Sequence, residues 1–386
     1  MTIVVTGGGS GGHITPILAV ASDLKQLDAT TRIIYIGQRG DKLADLPAAD
    51  PNIDAVYTVF AGKFRRYHGE GLRQLLDLPT VYKNLRDLFL IVAGTIQSYF
   101  LLRKLRPDII FTRGGFVSVP VAIGGKLNGT AYITHDSDAI PSLANRLIAR
   151  WAKLHAVALP EEIYPYPIDK TVMVGVPINK KYQVVTADLK RTYRTQLGLT
   201  GFDQVVLVTG GGNGAAIVND IVVANSLALL RARPKLVLLH ITGRDLLEKT
   251  ERAYAAVLTK ERMKQVRIEG FVDNLYAYSG AADVIVARGG ATNLAEFAVQ
   301  RKACIIVPTT TGQPWANKNT DELVKRQAVI KLTETQLEQE GRLATVIGEL
   351  LEKPAQREAL ESAIGQLAQP NAGLAIAKIL LKNGQT

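Results

Sequence analysis

The same turn motif occurs twice in this chain, at an offset of 203 residues. In the first copy a β-branched strand runs directly into the glycine-rich segment Gly7–His13, and in the second a similar strand runs into Gly210–Ala216. A helical pattern follows each copy. Glycines between a strand and a helix let backbone N–H groups approach a phosphate, and a helix N-terminus favours negative charge. The motif therefore predicts two α/β domains, each with a phosphate-binding loop.

A second repeat supports this duplication, because a strand ending in Arg-Gly-Gly occurs at Asp108–Gly115 and again at Asp283–Gly290. Short apolar strands alternate with helical segments throughout, as in parallel sheets that are covered on both faces. We therefore expect an α/β fold of two Rossmann-like domains facing a cleft. The alternative is that strand–glycine–helix turns look alike in any α/β protein.

The proline-rich stretch 160–185 predicts the linker between the domains. We expect an N-terminal domain over residues 1–170 and a C-terminal domain over 171–364. The helical tail, about residues 365–386, is expected to pack back on the N-terminal domain.

The charge and the apolar runs limit the class of protein. The formal net charge of +11 favours a polyanionic partner, and a single cysteine, Cys304, excludes an internal disulfide framework. The N-terminus has no basic segment followed by an apolar run, so we expect no signal peptide. The longest mostly apolar stretch without a charged residue is Leu88 to Leu102, shorter than the roughly 20 residues of a membrane-spanning helix. We expect a protein of the cytosol or of a membrane surface.

The segment Lys63–Arg106 carries nine lysines and arginines against three acids and interleaves them with aromatic and leucine side chains. Apolar side chains beside a cationic cluster suit an anionic membrane surface. The alternative is an ordinary packed helix with solvated charges. Nucleic acid is not expected as a partner, since no recognised binding motif is present.

Two residues at helix starts are candidates for chemistry. His13 stands where the second motif has Ala216, so the geometry of the loop does not require an imidazole. An imidazole at the start of a helix is well placed to remove a proton from a hydroxyl. Its alternative role is a backbone hydrogen bond in the first turn. Glu296 follows the second Arg-Gly-Gly and could accept the two hydroxyls of a ribose. Asn293 and Glu296 also have the spacing of a capping box.

Two further ligand classes are open. His135–Asp138 contains an Asp-x-Asp pair that could hold a divalent metal, although a polar wall of the site is the favoured interpretation. The second strand ends at Arg39 without the acid that a dinucleotide ribose needs. Arg39 could bind a 2′-phosphate instead, which keeps an NADP oxidoreductase as a minor alternative.

The motifs resemble those of one family. Gly8–Pro16 is similar to the Gly-Gly-Thr-Gly-Gly-His-x-x-Pro signature of the MurG family, the undecaprenyldiphospho-muramoylpentapeptide β-N-acetylglucosaminyltransferases of peptidoglycan synthesis. The resemblance runs in order from about residue 3 to residue 320. Its other motifs are Gly114–Ser118, Gly210–Ala215, Phe271–Asp273 and Ala291–Glu296.

This resemblance implies a glycosyltransferase-B fold and an inverting transfer without metal or other cofactor. The donor would be UDP-N-acetylglucosamine, held mainly by the C-terminal domain. The acceptor would be the 4-hydroxyl of undecaprenyl-diphospho-MurNAc-pentapeptide, held by the N-terminal domain at the cytoplasmic face of the cell membrane. The alternatives are a related transferase with another lipid or glycoside acceptor, and a nucleotide-sugar binder without turnover.

The resemblance also implies roles for individual residues. His13 would be the general base, Glu296 would hold the ribose, and the backbone of Val272 would contact uracil. The other substrate-binding residues that it implies are Ser10, Gly11, Gly12, Asp138, Asn179, Gly212, Ala291, Thr292, Asn293, Leu294, Ala295 and Gln313. The chain departs from the family pattern at Asp138, Asn179 and Gly212, where the family has asparagine, arginine and serine.

Overall fold

The computed structural model describes residues 1–8, 11–41, 43–63, 77–212, 214–309 and 314–385 of the chain. These residues form two compact units, and each unit is built around its own parallel β-sheet. Unit 1 comprises Met1–Lys180 together with Gln369–Thr386, and unit 2 comprises Lys181–Ala368.

Unit 1 contains seven strands and the C-terminal helix. Its strands are β1 (Thr2–Thr6), β2 (Arg32–Gln38), β3 (Ala55–Val59), β4 (Ile109–Thr112), β5 (Tyr132–Asp136), β6 (Leu154–Val157) and β7 (Thr171–Met173). Its helices are α1 (Gly11–Leu27), α2 (Asp45–Ala48), α3 (Leu78–Leu105), α4 (Ser118–Leu127), α5 (Leu143–Ile148) and, from the end of the chain, α16 (Ala372–Gly384). The strand order is β3-β2-β1-β4-β5-β6-β7, with every neighbouring pair parallel.

Unit 2 repeats this plan with six strands. Its strands are β8 (Gln204–Thr209), β9 (Leu236–Ile241), β10 (Val266–Glu269), β11 (Val284–Ala287), β12 (Ala303–Ile306) and β13 (Ile330–Lys331). Its helices are α6 (Ala187–Gln196), α7 (Ala216–Ala232), α8 (Leu247–Val257), α9 (Lys260–Met263), α10 (Leu275–Ala281), α11 (Ala291–Val299), α12 (Pro314–Lys325), α13 (Glu334–Leu337), α14 (Arg342–Glu352) and α15 (Pro354–Gln366). The strand order is β10-β9-β8-β11-β12-β13, again all parallel.

The first strand of each sheet is buried on both faces, which explains its continuous apolar sequence. Successive side chains of a strand point to opposite faces. In β1, Ile3 and Val5 pack in one core with α1 and α16, whereas Val4 packs in a second core with α3 and α4. In β8, Val206 and Leu207 likewise belong to opposite cores. The expected α/β fold class is confirmed.

The first glycine loop differs from its prediction. The sequence predicts a helix from Ile14, but α1 begins at Gly11, so Gly11, Gly12 and His13 form its first turn. The second helix begins at Ala216, one residue later than expected. His13 therefore has a helical backbone, whereas its counterpart in unit 2 is the first residue of α7.

Helix α3 has one packed face and one exposed apolar face. The packed face includes Asp87, 2% exposed, and Leu102, 1% exposed. At Gly94 the helix is so close to the chain after β3 that an added Cβ would lie 1.9 Å from the carbonyl oxygen of Phe60. The segment Pro79–Leu105 is long and apolar enough, by length and composition, to span a membrane. In its 18-residue apolar window, 28% is buried. Close backbone packing along one face attaches α3 to unit 1.

The opposite face of α3 exposes large apolar side chains at helical spacing. Tyr82, Phe89 and Phe100 are 70%, 67% and 64% exposed. The other exposed apolar residues of this face are Val81, Leu85, Leu88, Val92 and Ile96. Of the segment Lys63–Arg106, residues 64–76 lie outside the described residues.

Candidate active site

The sequence motifs of unit 1 meet where its strand order reverses. The chain places β2 and β3 on one side of β1 and β4 to β7 on the other, which makes a switch point between β1 and β4. Ligands of open parallel sheets bind beyond the carboxyl ends of the strands at such a point. The loop Gly7–His13 follows β1 and the loop Arg113–Gly115 follows β4. Both glycine motifs of unit 1 therefore border one candidate site.

The two loops touch each other closely. Gly114 and Gly115 have φ angles of +82° and +80°, a conformation that residues with a side chain rarely adopt. A Cβ on Gly115 would lie 2.9 Å from the carbonyl oxygen of Gly8 and 3.7 Å from Cδ2 of His13. The glycine pair thus lets the loop after β4 pass against both the first loop and the His13 ring.

His13 has a defined tautomer. Its Nδ1 lies 3.2 Å from the carbonyl oxygen of Arg113. Because a carbonyl oxygen only accepts, Nδ1 carries the proton and donates it, so neutral His13 keeps the lone pair on Nε2. Burial and the neighbouring Arg113 charge lower the pKa of His13 to about 4. At neutral pH the imidazole is therefore an unprotonated base at Nε2.

The Arg113 guanidinium organises the surrounding loops. Nη1 donates to Nδ1 of His135 at 2.7 Å and to the hydroxyl of Ser137, and Nη2 donates to the carbonyl oxygen of Gly12 at 2.9 Å. Nε2 of His135 lies 2.8 Å from the carbonyl oxygen of Gly175. Nε2 must therefore carry the His135 proton, which leaves Nδ1 to accept from Arg113. Burial, with the Arg113 charge, holds the pKa of His135 well below its usual range.

Two carboxyl groups lie beside this arginine, Asp136 at the end of β5 and Asp138 just after it. Asp136 accepts hydrogen bonds from Asn145 Nδ2 at 2.9 Å and from the Tyr166 hydroxyl at 2.7 Å. Burial raises the pKa of Asp136. Burial also lowers the pKa of Arg113 to about 10 although Asp138 and Asp136 oppose that shift. Arg113 remains charged at neutral pH, and the carboxylate of Asp138 faces a cation.

The glycine loop of unit 2 lies at the equivalent switch point, between β8 and β11. A Cβ on Gly210 would lie 2.3 Å from the backbone nitrogen of Ala215, and one on Gly214, whose φ is +73°, would lie 2.0 Å from the carbonyl oxygen of Thr242. Gly212 is different, since a Cβ there would have no atom of the described chain within 4 Å. The loop thus needs glycine at its two ends but has room for a side chain, or a ligand, at Gly212.

Glu296 lies in the second turn of α11, which follows β11 at the same switch point. The N-cap of α11 is Gly290, so the alternative of a capping box between Asn293 and Glu296 is wrong. The Tyr182 hydroxyl hydrogen-bonds to the Glu296 carboxyl group. Burial raises the pKa of Glu296 to about 8 despite this hydrogen bond. Unit 2 therefore holds a sheltered carboxyl group with a phenol as its partner.

The other predicted site residues divide between the two units. In unit 1, Gly12 is in the first turn of α1, Asp138 is half-buried after β5 and Asn179 is exposed after β7. In unit 2, half-buried positions after β10 and at the start of α11 hold Val272, Ala291, Thr292, Asn293 and Ala295, and Leu294 is buried. Ser10 and Gln313 lie outside the described residues. In the part of the chain that the structure describes, no group of three His, Cys, Asp or Glu side chains could hold a metal ion.

Sequence reasoning missed the roles of two residues. Arg113 contacts the loops after β1 and β5, and its place in the Arg-Gly-Gly repeat was the available signal. Tyr182 is the partner of Glu296, and no local motif marks it. Arg39, the candidate for a 2′-phosphate, instead has its guanidinium carbon 5.1 Å from the centre of the Phe60 ring.

Two parallel-sheet α/β units, each with a glycine loop at its switch point, have the architecture of the glycosyltransferase-B fold. The structure is similar to the crystal structure of Acinetobacter baumannii MurG, with a TM-score of 0.73, 21% identity and coverage of 99% of both chains. This likeness supports the fold.

The sequence comparisons identify the family. Residues 3–157 match the glycosyltransferase family 28 N-terminal domain, and residues 205–372 match the family 28 C-terminal domain. A relative from Moorella thermoacetica is 31% identical, with 99% of each chain covered, and one from Bacillus thuringiensis (strain Al Hakam) is 33% identical, with 79% of this chain and 78% of the relative covered. Both are named UDP-N-acetylglucosamine–N-acetylmuramyl-(pentapeptide) pyrophosphoryl-undecaprenol N-acetylglucosamine transferases. The chain belongs to glycosyltransferase family 28.

Proposed function

We propose that this protein transfers N-acetylglucosamine from UDP-N-acetylglucosamine to the 4-hydroxyl of undecaprenyl-diphospho-MurNAc-pentapeptide, with inversion at the anomeric carbon. The observation that carries the proposal is a neutral His13 with its lone pair on Nε2, beside the switch point of unit 1. The names of the full-length relatives supply the substrate pair.

In this reaction unit 1 binds the acceptor and unit 2 binds the donor. Nε2 of His13 removes the proton of the acceptor hydroxyl as its oxygen attacks the anomeric carbon. The bond from that carbon to the diphosphate oxygen breaks, and UDP leaves with the electron pair. The N-terminus of α11, at Gly290–Thr292, stabilises the negative charge that develops on the diphosphate. No metal is needed for this balance of charge and protons.

The donor contacts follow from unit 2. Glu296 accepts hydrogen bonds from the ribose hydroxyls when Tyr182 gives up its contact. The open space at Gly212 admits the diphosphate close to the backbone, and the backbone at Val272 contacts uracil. Asn293, Leu294 and Ala295 form the helical turn that carries Glu296. Ser10, Gly11, Gly12, Asp138, Asn179 and Gln313 complete the proposed sugar and diphosphate contacts.

The exposed face of α3 is proposed to bind the surface of an anionic membrane, on the cytoplasmic side where a lipid-linked acceptor would be presented. Lys83 and Arg86 lie beside the apolar stripe near its start, and Arg103 and Lys104 near its end. Cations next to exposed aromatic side chains favour the interface of an anionic bilayer. Because the packed face of α3 is held against unit 1, the helix would lie on the membrane as a peripheral anchor.

Product analysis tests the proposed reaction. Purified protein is incubated with UDP-N-acetylglucosamine and the lipid-linked muramoyl-pentapeptide, and the product is examined by mass spectrometry. The expected product carries one added N-acetylhexosamine in β linkage. UDP-N-acetylgalactosamine and UDP-glucose serve as matched donors. Preferential transfer from either of them, or transfer only to a different acceptor, would favour the related-transferase alternative.

A further inference from the structure

We propose that Arg113 is a positioning residue for the transfer, which keeps His13 in its neutral, Nδ1-protonated form and holds the first turn of α1 in place. The proposal rests on the role of His13 in the proposed function. It goes further because it proposes that Arg113, a residue of a different loop, controls the protonation state of His13.

Arg113 holds the first turn of α1 at two successive residues. Its backbone carbonyl oxygen accepts the Nδ1 proton of His13, and its Nη2 donates to the carbonyl oxygen of Gly12. The left-handed glycines that follow let this loop approach α1. One residue thus fixes both the backbone before the base and the orientation of its ring.

The Arg113 guanidinium is itself held in place by hydrogen bonds to uncharged groups. The carbonyl oxygen of Gly175 accepts the proton of His135 Nε2, and His135 Nδ1 then accepts from Arg113. These acceptors, with Ser137 and Gly12, are uncharged, and the acidic groups that act on the guanidinium charge are Asp138 and Asp136.

A positive charge beside an imidazole disfavours its protonated form. Burial is the largest cause of the lowered pKa of His13, and the Arg113 charge lowers it further. The charged or titratable side chains around this cluster come from β5 and from the loops after β2, β4 and β5. They are His135 and Asp136 in the strand, and Asp41, Arg113 and Asp138 in the loops. Arg113 is the charged group that acts directly on His13. Its charge therefore keeps the base ready to accept a proton under mildly acidic conditions.

The pH dependence of kcat/KM separates the charge of Arg113 from its hydrogen bonds. Arg113→Met removes both the positive charge and the guanidinium hydrogen bonds. Arg113→Lys keeps the positive charge but loses the guanidinium hydrogen bonds. We expect the acidic limb of the profile to move up by about one pH unit or more in Arg113→Met and to stay near the wild-type position in Arg113→Lys. Both variants should have a lower plateau, because the contact to Gly12 is lost.

Arg288→Met is the matched control, since Arg288 holds the equivalent position in unit 2 and bonds to Glu334, Val307 and Pro308. It should leave the acidic limb unmoved. If the two Arg113 variants lower the plateau equally and neither moves the acidic limb, Arg113 has only a structural role and the proposal is wrong.

A titration without turnover distinguishes this proposal from the proposed function. The protein is labelled with ¹⁵N-histidine, and the signal of His13 is assigned by its loss in His13→Ala. We expect wild-type His13 to show the Nδ1-protonated tautomer and no titration above pH 6, and Arg113→Met to titrate at higher pH. Circular dichroism verifies that each variant is folded. An unchanged His13 titration in folded Arg113→Met, or the opposite tautomer in the wild type, would overturn the proposal even if the protein proves to transfer another sugar.

Discussion

The two Arg-Gly-Gly loops have the same residues, but their arginines have different hydrogen-bond partners. In unit 1, Arg113 donates to neutral groups and sits against His13. In unit 2, Arg288 forms an ion pair with Glu334 at 2.9 Å and donates to the carbonyl oxygens of Val307 and Pro308. Arg288 donates to a carboxylate, whereas Arg113 donates to neutral groups and its charge also acts on the imidazole of His13.

Under the proposed function, this difference would divide chemistry and donor binding between two copies of one scaffold. The position of His13 is occupied by Ala216 in unit 2, which therefore has no base at its glycine loop. Unit 2 instead carries Glu296 on the helix after its second loop. Loss of a residue in unit 1 should thus affect the rate of transfer, and loss of a residue in unit 2 should affect the affinity for the donor.

The largest effect is expected for His13→Ala. Removing a general base lowers kcat by about 10²- to 10⁴-fold. UDP affinity, measured by calorimetry, should stay unchanged, because the proposed uracil and ribose contacts belong to unit 2 and His13 is proposed to act on the acceptor. His240→Gln is the control: His240 is buried between Tyr254 and Asn219, so its loss should lower the melting temperature rather than the turnover of folded protein. A kcat within a few-fold of wild type in His13→Ala would break the assignment of chemistry to unit 1.

Glu296→Ala should act in the opposite way. Loss of two hydrogen bonds to the ribose, each contributing roughly 1 kcal/mol, weakens UDP binding by roughly 10- to 100-fold. We expect KM for the donor to rise while kcat at saturating donor is largely kept. Calorimetry with UDP and with uracil provides the comparison, since uracil has no ribose and should bind both proteins alike. If kcat falls and UDP affinity does not change, Glu296 belongs to the chemistry instead.

The double substitution Phe89→Ser and Phe100→Ser should weaken liposome binding by at least about 10-fold, because each exposed ring would lose its burial in the bilayer. Flotation with anionic vesicles at low and high salt measures this binding, and salt should weaken it further. The matched control in unit 2 is Val257→Ser, which removes an isolated exposed apolar side chain. Equal flotation of all three proteins would remove the proposed anchor from α3.

The smallest effect concerns the stability of unit 2. Burial raises the pKa of Glu296 from 4.5 to about 8, so the folded protein retains a proton that the unfolded chain has lost between these pH values. Folding stability therefore falls as pH rises through this window. Glu296→Gln has no such proton to lose. Its melting temperature relative to wild type should be similar near pH 4 and higher at pH 8, and a difference that does not change with pH would contradict the shift.

The parts of the molecule that depend on local sequence were predictable. The β-branched runs and the glycine loops gave both sheets and placed His13 and Glu296 at helix starts. The role of Arg113 was not predictable, because Gly12 and His135 are 101 and 22 residues away from it in sequence. The face that α3 exposes was also hidden, since both of its faces are rich in apolar residues and packing with α4 decides which one is covered.

The central claim is tested most directly by following UDP release from UDP-N-acetylglucosamine, with and without the lipid-linked muramoyl-pentapeptide. We predict release only when the acceptor is present, loss of that release in His13→Ala, and its recovery at high donor concentration in Glu296→Ala. Release that does not depend on the acceptor, or transfer by His13→Ala at the wild-type rate, would contradict the division of chemistry and binding between the two units.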